Sequence, residues 1–188
     1  MPIQPWKVIE SNRPRKYLRV DKCKLPSGNI IEKMILEFGT WATIVAITKD
    51  QEVVLIKQYR HGAGRVIWEF PGGIIDPGES PLLAAKRELL EESGYGILVN
   101  EENGMESERW IETGSVSPNP DNHTNMIHTF LALDVEKISS QHLDENEEID
   151  VFLIPLTEVI RMAKDGELLQ SMQVSALFFA LIHLGQIR

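Results

Sequence analysis

Cysteine is nearly absent from this 188-residue chain, with Cys23 alone. One thiol excludes an intramolecular disulfide and any zinc site built on clustered cysteines, and it fits a reducing compartment. Aromatic residues are scarce, at 7%. The longest apolar run, Val174 to Leu184, is about half a membrane span and includes Ser175 and His183. The opening Met1-Pro2-Ile3-Gln4-Pro5-Trp6-Lys7 lacks the apolar stretch of a signal peptide. Internal repeats, low-complexity tracts and Ser/Gly linkers are missing too. A cytoplasmic protein with no membrane association is the expectation.

What is present suits a packed core. The chain is 43% hydrophobic and 25% charged, ordinary for a globular protein and too apolar for a disordered one. Its length suits about one domain with a small appendage, and it needs no staples. The net charge of −9 is unevenly spread. Residues 1–67 hold 12 Lys and Arg against 6 Asp and Glu, while residues 68–188 hold 7 against 22. The acidic excess disfavours nucleic acid as a partner. The asymmetry has two readings: acidic loops that aid solubility, or a basic part for phosphate beside an acidic part for metal cations.

Strands are expected at Tyr17–Lys24 and Ile30–Phe38, around the turn Leu25-Pro26-Ser27-Gly28-Asn29. A strand-like run, Lys7-Val8-Ile9-Glu10, precedes them. Thr40–Ile47 and Val53–Ile56 are apolar at nearly every position, the pattern of strands buried on both faces. Ser80 as N-cap, Pro81 in the first turn and Gly94 as a left-handed stop predict a helix over 81–93, with Leu82, Ala85 and Leu89 as its apolar stripe. Strands near Arg109–Thr113, Met126–Asp134 and Ile149–Ile154 follow, then helices over Thr157–Lys164 and about Ser171–Leu184. The last helix shows Val174, Leu177, Phe178, Leu181 and Ile182 as core candidates. The mixture lacks a regular βαβ rhythm, so an α+β layered domain is expected.

The chemistry concentrates between Gly73 and Tyr95, in GIIDPGESPLLAAKRELLEESGY. Glu88, Glu91 and Glu92 stand at i, i+3 and i+4, so one helix face presents three carboxylates. By spacing, Arg87 pairs only with Glu91. Such a face is either solvated or a ligand set for a hard divalent cation, whose remaining ligands are commonly phosphate oxygens and water.

The same segment matches G-x5-E-x7-R-E-U-x-E-E-x-G-U at every specified position, with U a bulky apolar or aromatic residue. It resembles the box of the Nudix hydrolases. The ADP-ribose pyrophosphatase branch is suggested by Gln58-Tyr59-Arg60-His61-Gly62, Glu69-Phe70-Pro71-Gly72-Gly73, Gln141-His142-Leu143-Asp144-Glu145-Asn146-Glu147-Glu148-Ile149 and the N-terminal strands. Together these cover roughly residues 6–184.

The resemblance implies a Nudix fold: a mixed β-sheet between helices, preceded by an N-terminal antiparallel sheet. Residues 1–38 would form that segment, serving dimerisation and the substrate site, and residues 39–188 the hydrolase domain. It implies Mg²⁺ or Mn²⁺, held by Glu88 and Glu92 with help from Glu91 and the Gly72 carbonyl. Arg87 would hold Glu91, and Glu79 would support the loop from outside the ligand shell. Glu145 and Glu147 are candidates for the proton acceptor, Glu147 also for a metal ligand. Arg60 and Glu69 would contact substrate, and Trp6 would stack on a base or serve as core. The implied reaction is hydrolysis of the pyrophosphate in ADP-ribose or a related nucleoside diphosphate sugar, by a homodimer. Two alternatives stay open: another nucleoside diphosphate derivative (GDP-mannose, a dinucleoside polyphosphate or an oxidised nucleotide), or a non-catalytic ADP-ribose-binding regulator.

Other features are set aside. His123 and His128 lack a third ligand in a zinc spacing. Gly62-Ala63-Gly64 is too sparse for a phosphate loop and suits a turn. Ser115–His123 falls where the branch has a proline-containing substrate loop, but Asn119 follows Pro118 where glycine is common.

Overall fold

A computed structural model describes residues 3–98 and 106–187. The chain divides into two compact units. The smaller holds the described residues up to Gly39 together with Ser117–Met126; the larger holds Thr40–Val116 and the described residues from Ile127 onward.

In the smaller unit, β1 (Lys7–Arg15), β2 (Leu18–Lys24) and β3 (Ile30–Leu36) form an antiparallel meander with β2 in the middle. Gly28 turns β2 into β3 at φ +91°, a left-handed conformation that a side chain would resist, and its N–H donates to the Leu25 carbonyl at 2.9 Å. Buried Asp21 accepts from Ser11 at 2.6 Å and from Arg19 at 2.9 Å. These bonds, led by the Ser11 hydroxyl, hold its carboxyl below the usual range. Ser117–Met126 runs beside β3: the Leu36 N–H donates to the Asn122 carbonyl at 2.7 Å, and Lys33 meets Asp121 at 2.7 Å.

Along the larger unit run β4 (Trp41–Ile47), β5 (Glu52–Arg60), a 3-10 turn (His61–Ala63), β6 (Arg65–Glu69), β7 (Gly72–Ile74), α1 (Pro81–Ser93), β8 (Tyr95–Gly96), α2 (Glu106–Arg109), β9 (Trp110–Val116), β10 (Ile127–Leu133), β11 (Glu136–Lys137), β12 (Ile149–Pro155), α3 (Leu156–Lys164) and α4 (Ser171–His183). Among the described residues, seven strands share one mixed sheet. Its order is β12-β5-β4-β10-β9, with β6 also on β5 and β7 on β4. β10 and β4 are parallel; the other pairs are antiparallel.

The sheet buries both faces, and side-chain alternation assigns each one. Ala42, Ile44 and Ala46 of β4, with Phe130 and Ala132 of β10, pack on Ala84, Ala85 and Leu89 of α1. Val45 and Ile47, with Leu131, pack on Val159 and Met162 of α3 and on Ala176, Leu177 and Ala180 of α4. The small alanines on the first face let α1 sit close to the strands. The result is helix, sheet, helix: an α/β/α sandwich.

The helix caps follow the sequence signals. The Leu83 N–H donates to the Ser80 hydroxyl at 3.3 Å, and Gly94 stops α1 at φ +69°. The stripe expected on α1 needs correcting at one position: Leu82 is exposed, and the buried face is Ala85, Leu89 and Glu92 at i, i+4 and i+7. In α4 the correction is larger, because only one of its apolar sides meets the sheet. Leu177 and Leu181 are buried, whereas Val174, Phe178 and Ile182, at i, i+4 and i+8, are each at least 41% exposed. Among the described residues no helix is long and apolar enough to cross a membrane.

Candidate active site

The carboxylate helix is placed by its apolar face. Burying Ala85 and Leu89 carries Glu92 inward with them, and only 4% of Glu92 remains exposed. Its Oε2 accepts from the Gly72 N–H at 2.7 Å. That one bond does not offset the loss of water, and the charges of Glu88 and Glu147 add to the cost. Burial first, then those neighbours, push the Glu92 carboxyl up to about 8. Glu88 is shifted upward for the same leading reason, with Glu91 and Glu147 as like-charged neighbours.

Two glycines make room for this. A Cβ on Gly73 would land on the Glu88 carboxylate, whereas one on Gly72 would strike the Ala42 carbonyl and come within 2.9 Å of the Thr43 Cα. Gly73 makes room for the Glu88 carboxylate, whereas Gly72 allows backbone to pack on backbone.

Arg87 does more than pair with Glu91, which corrects the expectation drawn from spacing. It reaches Glu79 at 2.9 Å, Glu88 at 2.8 Å, Glu91 at 3.1 Å and the Ile74 carbonyl at 3.1 Å. The planar guanidinium has five donors in a fixed fork, so one side chain can organise three carboxylates and a loop carbonyl. Glu79, whose carboxyl Arg87 holds below its usual range, also accepts from the Asp76 N–H at 3.2 Å and closes the loop before α1.

Facing this helix is a cavity of about 420 Å³, lined by Glu88, Glu91, Glu92, Arg87, Gly72, Gly73, Arg60 and Glu147, together with Trp41, Gln58, Ile74, Asp76, His142 and Asp144. Arg60 is fixed by Glu69 through its Nε at 2.9 Å. Glu69 is 1% exposed, and among the described residues its Oε1 has no hydrogen-bond partner. Burial raises its carboxyl above the usual range although Arg60 pulls the other way. Glu69 therefore sits behind Arg60 as its support, and the Arg60 Nη donors are not used in the pair.

Of the two acidic-loop candidates, the structure brings only Glu147 into the cavity. Glu145 lines a neighbouring recess of about 320 Å³ with Gln58, Tyr59, Asn146 and Glu148. Trp6 belongs to the smaller unit, 45% exposed, with the Lys33 ammonium 5.8 Å from its ring. His128 pairs with Glu112 at 2.7 Å on neighbouring strands. Sequence reasoning gave no role to His142 or Asp144; their place just ahead of the acidic run was the available signal. It also passed over Gln173, a buried side chain of α4 whose Oε1 accepts from the Phe70 N–H at 2.9 Å and so fixes the approach to Gly72.

The donors suit a hard divalent cation. They are carboxylate oxygens; burial and then like-charged neighbours push up the carboxyls of buried Glu92 and half-buried Glu88, and a cation there would lower that cost. Among the described residues, no three His, Cys, Asp or Glu side chains are already gathered around one coordination point.

Residues 39–172 match the family model for the NUDIX domain. The chain is 30% identical over 160 residues to the methanol dehydrogenase activator of Bacillus methanolicus, covering 85% of this chain and 81% of that protein. It is 28% identical over 161 residues to an ADP-ribose pyrophosphatase of Mycobacterium tuberculosis, covering 84% and 72%. A crystal structure of an ADP compounds hydrolase superposes with a TM-score of 0.80 at 24% identity, over the whole of both chains, and shows the shared fold. A family model over residues 39–172 and a relative 30% identical over most of both chains show that this chain belongs to the Nudix hydrolase family.

Proposed function

We propose that this chain hydrolyses the diphosphate linkage of ADP-ribose or a related nucleoside diphosphate sugar, with Mg²⁺ or Mn²⁺, giving a nucleoside monophosphate and a sugar phosphate. The observation that carries the reading is charge placement. A fixed cation, Arg60 backed by Glu69, faces the Glu88, Glu92 and Glu147 carboxylates across one cavity. A diphosphate needs both: a guanidinium for one phosphate, and carboxylates to hold the metal that neutralises the other.

Glu88 and Glu92, with the Gly72 carbonyl and help from Glu91, are the proposed ligands. When bound, the cation polarises the phosphoryl group and lowers the pKa of water. Arg87 and Glu79 keep the ligand carboxylates in place, and Arg60 orients the substrate. Glu147 accepts the proton as the water oxygen bonds to one phosphorus. The bond from that phosphorus to the bridging oxygen breaks, and the bridging oxygen leaves as part of the second phosphate. Glu145, lining the recess outside the cavity, is a weaker candidate for proton acceptor. Trp6 is proposed to stack on the base. Residues 1–38 are proposed as the dimerisation and substrate segment and 39–188 as the hydrolase domain, in a homodimer of twice the 21.3 kDa chain mass.

The reading is tested by Mg²⁺-dependent turnover on ADP-ribose, ADP-glucose, GDP-mannose, UDP-glucose, NADH and diadenosine polyphosphates, with Glu92→Gln as the blank. Preference for ADP-ribose supports it. Turnover confined to other compounds moves the substrate. No turnover on any compound rejects hydrolysis of these diphosphates.

A further inference from the structure

The C-terminal end of α1 is finished by a distant segment. A helix leaves its last carbonyls without intrahelical donors. Here those carbonyls are met by residues 137–142. The Lys137 ammonium donates to the Ser93 carbonyl at 2.6 Å, and the N–H groups of Ile138 and Ser139 donate to the Gly94 carbonyl at 2.9 and 3.1 Å. The His142 N–H donates to the Glu91 carbonyl at 2.8 Å. The Gln141 Nε2 donates to the Glu92 carbonyl at 2.7 Å.

Gln141 does something the other donors do not. The same Nε2 also donates to the Ile149 carbonyl at 3.1 Å, at the first residue of β12. A side-chain amide nitrogen carries two protons, so one group can satisfy both carbonyls. The reverse orientation would set the amide oxygen against two carbonyl oxygens, so the network fixes which way the amide points. Between those anchors lies the acidic segment 142–148. Inside it the Glu147 N–H donates to the Asp144 carbonyl at 3.0 Å, and the Asp144 N–H donates to Glu147 Oε2 at 3.2 Å. One amide nitrogen therefore joins the metal-helix residue Glu92 to both ends of the loop that carries Glu147.

We propose that Gln141 is a positioning residue for Glu147: its carboxamide clamps the acidic loop to the end of α1 and sets the distance of Glu147 from Glu88 and Glu92. This rests on the reading of Glu147 as proton acceptor. The clamp acts on a few polar contacts and no apolar core, so its loss loosens the loop and leaves the sandwich intact. Displacing a reacting group by about 1 Å can cost about 100-fold in rate.

The test is a double-mutant cycle of Gln141→Leu and Glu147→Gln, read by kcat and KM on the preferred diphosphate substrate, with amide hydrogen exchange on the metal-free proteins. Leucine keeps the approximate shape and removes both donors. In the wild-type background Gln141→Leu is expected to lower kcat about 10- to 100-fold with KM within about threefold. In the Glu147→Gln background the same change is expected to cost nothing further, because the group it positions is gone. Exchange is expected to quicken in residues 142–149 and to stay unchanged in β4, β5 and α4. Equal losses in both backgrounds, an unaffected kcat in Gln141→Leu, or unaltered exchange in 142–149 overturns the proposal. A Glu147→Gln protein with wild-type turnover rejects Glu147 itself, a separate failure seen before the cycle is closed.

Discussion

Replacing Glu92 by Gln is expected to inactivate the protein and, without metal, to stabilise it. Glu92 is buried, and its carboxyl is raised to about 8 against an ordinary 4.5. Between those values the folded state holds a proton that the unfolded state has released. Stability from this group is therefore fully present below pH 4.5 and is lost as pH rises toward 8. The shift corresponds to about 3 kcal/mol lost by pH 7 and about 5 above pH 8, as upper bounds, because relaxation and water entry reduce it. Glutamine keeps an oxygen for the Gly72 N–H and carries no charge to bury. For a chain of this size each kcal/mol moves Tm by about 2–4 °C, so Glu92→Gln should melt roughly 5 °C or more above wild type at pH 8 in EDTA. The gap should shrink as pH falls toward 4.5, because the unfolded-state carboxyl of wild type then regains its proton. Saturating Mg²⁺ should narrow it from the other side, by stabilising wild type more than the variant. Thermal unfolding followed by circular dichroism across pH 4.5–8.5 measures this directly. A Glu92→Gln protein no more stable than wild type at pH 8, or a gap that does not change with pH, refutes the argument.

The two loop glycines separate function from folding. Gly73→Ala should displace the Glu88 carboxylate, the flexible end of a side chain, so Tm should stay within a few degrees while kcat falls by about 10-fold or more. Gly72→Ala meets the Ala42 carbonyl and the Thr43 Cα, which cannot swing away, so it should cost about 3 kcal/mol or more of stability, read by urea unfolding.

Much of this was legible in the chain because the signals were local. Ser80, Pro81 and Gly94 bound a helix that runs Pro81–Ser93, and the unbroken apolar runs in β4 and β5 announced strands covered on both faces. The short strands β6 and β7 were not visible. Arg65–Glu69 and Gly72–Ile74 extend because β5 and β4 offer them a pairing edge, a cause that lies elsewhere in the sequence. α4 misled for a related reason: an all-round apolar helix does not say which side the sheet takes. The site divides the same way. The box located Glu88, Glu91 and Glu92, and the Ala85–Leu89 stripe continued at helical spacing reaches Glu92, but a carboxylate is not the residue type expected on a buried face. Glu145 and Glu147 are equivalent in the linear pattern; their loop points one to the cavity and the other to a recess. The supports, Gln141, Gln173 and the Glu69–Arg60 pair, act across 8 to 103 positions of chain and left no local signature.

Glu147, and not Glu145, is proposed to complete the diphosphate-hydrolysing cavity. Steady-state turnover of Glu147→Gln and Glu145→Gln, side by side with Mg²⁺ on the best substrate, tests it most directly. kcat is expected to be lower by about 100- to 10,000-fold for Glu147→Gln, and within about threefold of wild type for Glu145→Gln. Near-normal turnover by Glu147→Gln, or the larger loss in Glu145→Gln, would contradict it.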